Sequence, residues 1–121
     1  MSKQLLSIVE IGGYPNYIPL YQQSGYRVET LNSMRKAMGW LKRHKPDVVV
    51  AEFNYDPMFR DRMSNVESLL ATLQKQKCEA RVVLFIEKER RPHLDKVLQR
   101  YSVDTVLDFP IDEAALKAAL T

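Results

Sequence analysis

Glu52 is the residue whose type and position point most directly to chemistry. It closes the run Lys45-Pro46-Asp47-Val48-Val49-Val50-Ala51-Glu52-Phe53-Asn54, which reads as a strand buried on both faces and ending in a carboxylate. Strand ends of this kind are where open α/β sheets bind ligands. An earlier apolar run, Leu5 to Ile11, leads into Glu10-Ile11-Gly12-Gly13-Tyr14-Pro15. That stretch has neither the three-glycine spacing of a dinucleotide loop nor a Walker lysine, and Pro15 removes a backbone donor that a phosphate cradle would use. It reads as a turn. Cys78 stands alone, so an internal disulfide and a paired-cysteine zinc site are excluded. His44 and His93 lie in polar, charged segments away from any Ser-His-Asp arrangement, and no metal-ligand spacing is present.

The chain that must position Glu52 has 121 residues, of which 45% are hydrophobic and 27% charged, enough for one core. A single domain over residues 1–121 is expected. Apolar runs are far shorter than the ~20 residues that span a bilayer. With no export signal and a lone cysteine, a cytoplasmic location and no membrane partner are expected. Net charge is +3, from 18 Lys and Arg against 15 Asp and Glu. The basic residues fall in two segments, one with Arg35, Lys36, Lys42, Arg43, His44 and Lys45, the other with Lys88, Arg90, Arg91, His93, Lys96 and Arg100. Both read first as solvated helix faces.

Strand and helix patterns alternate along the chain. Strands are predicted over Leu5 to Ile11, Tyr26 to Leu31, Asp47 to Phe53, Ala80 to Ile86 and Val103 to Phe109. Helices are predicted from Asn16 to Gly25, from Ser33 to His44, and around Val66, Leu70 and Leu73, the last reaching back to Met63 or Phe59. Pro92 suits the first turn of a fourth helix carrying Leu94, Val97, Leu98 and Tyr101, and Asp112 suits the cap of a fifth. Five βα units imply a flavodoxin-like fold, a five-stranded parallel sheet covered by helices on both faces.

From Gly25-Tyr26-Arg27-Val28 through Asn54, and again from Ser102 to Asp112, the chain resembles the receiver domain of response regulators, the CheY-like fold. The resemblance implies a place in two-component signalling. It also implies an acidic pair after the first strand, an acceptor Asp at the position of Glu52, a hydroxyl ending the fourth strand, and a lysine before the proline of the fifth. Here the acidic pair is Glu10-Ile11, the hydroxyl position falls on Phe85 (Ile86 if the register slips by one), and the lysine position falls on Phe109. The strand aromatic is Val106, Asn54 stands where a carbonyl would meet the metal, and Pro110 is kept, with a cis bond before it implied.

Glu reaches one methylene further than Asp, and in-line transfer does not tolerate the displacement. Two phenylalanines are expected to fill the phosphate space. The chain is therefore expected to be a pseudo-receiver: not an enzyme, without metal or cofactor, and active through protein contacts independent of phosphorylation. Glu52 is either a carboxylate left solvated or paired at the strand end, or a permanent mimic of the phosphorylated state.

By resemblance the partner is another signalling or regulatory protein, or a second copy of the chain. It would meet the surface of the fourth helix, fifth strand and fifth helix: Arg90, Arg91, Lys96, Arg100, Asp108 and Lys117. Two alternatives remain open. One is a nucleic-acid-binding accessory protein using the basic helix 33–45. The other is a small-ligand sensor at the C-terminal edge of the sheet, near Tyr14, Glu52 and Phe109, with Tyr17 and Tyr55 at the same end.

Overall fold

A computed structural model describes residues 3–9, 16–53 and 65–120. Glu10, Ile11, Gly12, Gly13, Tyr14, Pro15, Asn54, Tyr55, Phe59 and Met63 lie outside those residues. Among the described residues the order is β1 (Lys3–Ile8), α1 (Ile18–Gln23), β2 (Tyr26–Leu31), α2 (Met34–Leu41), β3 (Val48–Glu52), α3 (Asn65–Lys75), β4 (Arg81–Ile86), α4 (Arg91–Leu98), β5 (Thr105–Asp108) and α5 (Glu113–Ala119). A 3₁₀ turn over Lys88–Arg90 leads into α4.

The five strands form one parallel sheet in the order β2-β1-β3-β4-β5. Every residue of the central β3 is buried, as its unbroken apolar run requires of a parallel strand covered on both sides. The outer β2 and β5 carry the more exposed residues, which suits sheet edges. Side chains alternate between the two faces. Leu6, Val49, Ala51, Val82, Leu84 and Ile86 face a core closed by Ala37 and Leu41 of α2, Val66, Leu69, Leu70 and Leu73 of α3, and Leu94 and Val97 of α4. Leu5, Val48, Val50, Val83 and Phe85 face the other core, closed by Tyr17, Tyr21 of α1, and Leu116 and Leu120 by α5.

Local chemistry sets the element ends. Ser33 caps α2 by accepting from Lys36 N, and Asp112 caps α5 by accepting from Ala114 N. The chain turns from α1 into β2 at Gly25, whose φ of +93° is open to glycine and strained for other residues. Helix α2 stops at Leu41 rather than running to His44; the chain leaves in a turn closed by Arg43 N donating to Trp40 O. Helix α5 is fastened by its last turn. The Tyr26 hydroxyl donates to Leu120 O, and Arg81 Nη1 donates to Ala119 O at 3.0 Å, satisfying carbonyls that the helix itself leaves open.

Carboxylates pin the strand starts. Asp47 Oδ2 accepts from Gln4 N at 2.8 Å, and Asp104 Oδ2 accepts from Val82 N at 2.7 Å. Among the described residues no helix is long and apolar enough to cross a membrane.

Candidate functional site

Parallel strands put all their C-terminal ends on one edge, so Ile8, Glu52, Phe85 and Asp108 come to the same end of the sheet. Glu52 and Phe85 are register partners, and Phe53 N donates to Phe85 O at 2.8 Å, which fixes them side by side. Alternation along β3 turns Glu52 to the same face as Val50, the face covered by α1 and α5.

A cavity of about 240 Å³ opens there between α1 and the ends of β1, β3 and β4. Its walls are mainly apolar: Ile8, Ile18, Val50, Ala51, Phe85, and the rings of Tyr17 and Tyr21. Ser7, Thr30, Asn16 and Glu52 supply the polar groups of its lining. Tyr17 and Phe85 meet edge to face, with ring centres 5.8 Å apart and planes at 75°. Burial, followed by the charge of Glu113, pushes the Tyr17 phenol above its ordinary value. Burial, and then Tyr17 itself, does the same for Tyr21. Both rings are therefore neutral at physiological pH.

Glu52 is only 4% exposed. The solvated carboxylate considered from sequence is thus corrected: the group is buried at the strand end, in the lining it shares with Phe85, Tyr17 and Tyr21. Phe109 departs from expectation in the opposite sense. Phe109 N donates to Ile86 O at 2.7 Å, so the residue reaches the expected strand end, yet its side chain is 43% exposed and does not line the cavity. Of the two phenylalanines expected there, Phe85 lines the cavity with Glu52 and Phe109 does not. Ile86, the other residue considered for the hydroxyl position, is buried on the opposite face against α4. Val106 is half-buried against that same core, and the Phe109–Pro110 peptide bond is cis, as the resemblance implied.

Magnesium takes hard oxygen ligands in an octahedron. Among the described residues there is no group of three or more potential metal-ligating side chains, and Glu52 is the one carboxylate in the cavity lining. Among the described residues of the lining, Glu52 is thus the one acidic oxygen ligand available to such an ion.

The residues read as an interaction surface are only partly gathered. Arg91 of α4 reaches Asp108 of β5 at 3.7 Å and Asp95 at 3.3 Å, joining helix and strand. Arg91, Lys96, Asp108 and Lys117 are exposed and Arg90 is half-buried. Arg100 follows the far end of α4, where it borders a second groove with Gln74, Cys78, Tyr101 and Asp104, toward α3. The basic residues Arg35, Lys36, Lys42, Arg43, His44 and Lys45 are all exposed on α2 and the turn after it, where His44 stacks on Trp40 at 4.3 Å.

Sequence reasoning missed Tyr21 and Ser7 as cavity residues. Tyr17 and Tyr21 are four apart, a spacing that puts two rings on one helix face and would have signalled the pair.

The strand order β2-β1-β3-β4-β5, with helices on both faces, is the doubly wound flavodoxin-like arrangement that receiver (CheY-like) domains share. The comparisons agree. A response regulator receiver domain from Clostridium thermocellum superposes with a TM-score of 0.75 at 16% identity, covering 98% of this chain and 90% of that one. The chemotaxis response regulator CheY4 of Vibrio cholerae gives 0.73 at 20% identity, covering 99% and 97%. The receiver domain of a sensor histidine kinase from Pseudomonas aeruginosa, solved with a magnesium ion in its active-site cleft, gives 0.71 at 15% identity, covering 99% and 95%. At the level of sequence, no family model and no curated protein matches the chain. Likeness at this identity establishes the fold, and function has to be argued from the site.

Proposed function

We propose that this chain is a non-catalytic, phosphorylation-independent receiver-like module of a bacterial signalling or regulatory pathway, acting by protein–protein contact. The observation that carries the reading is the enclosure of Glu52 beside Phe85 in a mainly apolar cavity. Phosphoryl transfer is driven by charge stabilisation around the transferred group, and hydrocarbon walls provide none. With that chemistry removed, the scaffold retains its surfaces. The face around Arg91, Asp108, Lys96 and Lys117 is where we place the partner, a signalling or regulatory protein or a second copy of the chain. Arg100 belongs to this surface only if the partner also reaches the α3 side.

The test combines two measurements. Intact mass after incubation with acetyl phosphate and Mg²⁺ is expected to show no phosphoryl adduct. Affinity capture from host lysate, with nuclease treatment, is expected to return a defined protein in near-stoichiometric amount, equally with and without the phosphodonor. A phosphoryl adduct, or nucleic acid without a dominant protein, overturns the proposal.

A further inference from the structure

The cavity between α1 and the ends of β1, β3 and β4 has a chemical character that the interaction reading does not use. Three aromatic rings, Tyr17, Tyr21 and Phe85, share its lining with the carboxylate of Glu52 and the hydroxyls of Ser7 and Thr30. From this combination we infer that the cavity is a binding site for a small organic amine in its protonated form, carrying an apolar or aromatic body.

Each component selects for that class. The acidic side chain of Glu52 in the lining disfavours phosphate and carboxylate ligands beside it. An ammonium group forms a charge-assisted hydrogen bond with it, strengthened by the low local dielectric. A carboxylate has about four acceptor sites, so a ligand N–H is accommodated alongside the contacts Glu52 makes within the protein. Aromatic rings attract cations through their negative faces, and here both phenols stay neutral. The hydroxyls offer acceptors for the remaining N–H bonds. The aliphatic walls reward an apolar body rather than a bare ammonium. By proportion with the ~150 Å³ that hold benzene, a cavity of this size takes a molecule of about ten non-hydrogen atoms.

The site goes beyond the interaction reading and stands whether or not a protein docks elsewhere on the chain. The test uses three probes of one shape on the wild-type chain: 2-phenylethylamine, 2-phenylethanol and phenylacetate, at neutral pH. Binding is followed by calorimetry and by amide shifts at Ile8, Tyr17, Ile18, Glu52 and Phe85. The amine is expected to bind at least about tenfold tighter than the alcohol, a difference of ~1.4 kcal/mol, with phenylacetate weakest. Glu52→Gln is expected to weaken the amine far more than the alcohol, so that the tenfold preference is lost. Equal affinity for amine and alcohol on the wild-type chain overturns the inference without recourse to any variant. So do shifts that map to another face, or no binding by any probe at about 10 mM.

Discussion

Glu52 of β3 and Phe85 of β4 are register partners at the C-terminal edge of the sheet, turned to the same face and into the same cavity. That adjacency sets an aromatic ring beside the carboxylate, and on the proposed reading it determines what substitution of Glu52 can achieve.

Restoring an aspartate alone is not expected to restore phosphorylation. Glu52→Asp corrects the length of the side chain but leaves the ring of Phe85 and the apolar walls in place. Intact mass after incubation with acetyl phosphate and Mg²⁺ should be the same for the variant and the wild type.

Phe85→Ala should destabilise the fold by about 3 kcal/mol, the loss typical of a buried aromatic ring cut to a methyl. Phe85→Leu, which keeps most of the volume, should cost roughly half as much. Urea unfolding of the two variants against the wild type measures both.

The fastening of α5 is open to the same kind of measurement. Tyr26→Phe removes the donor to Leu120 O and leaves a carbonyl near the core without it. A loss of about 1–2 kcal/mol is expected. Amide exchange should accelerate in α5 before it does in the central strands.

Alkaline stability follows from the two raised phenols. Each has a folded pKa above its ordinary value of 10.0. The unfolded chain therefore loses these protons first as pH rises. Their stabilising contribution is complete below about pH 10 and declines as pH climbs through the raised folded values. Stability from chemical denaturation should fall above pH 10, and Tyr21→Phe should make that decline shallower.

On the outer face, Lys96→Glu combined with Arg100→Glu should leave stability within about 0.5 kcal/mol of wild type, because both side chains are exposed. Affinity for a captured protein partner is expected to drop. Testing each variant alone separates the α4 face from the groove near α3, and an effect of Lys96→Glu only would confine the interface to the α4–β5 side.

The sequence by itself determined the βα alternation and most element positions. Those signals are local: the apolar run of β3, the helical spacing of Leu94 and Val97, the caps at Ser33 and Asp112 and the proline opening α4 each act within a turn or a strand. It also marked Glu52 and Phe85 as strand-end residues and drew attention to Tyr17. Which side of the sheet each residue faces, and what covers it there, was decided only by the tertiary structure. A shift of one residue in a strand exchanges the two faces, so the choice between Phe85 and Ile86 depended on the pairing of β3 with β4. The burial of Glu52 in a lining shared with Tyr17 and Tyr21, and the exposure of Phe109, were likewise legible only in the folded chain. Contacts between segments far apart in sequence leave little trace in either segment alone, because each is satisfied only by the other's position.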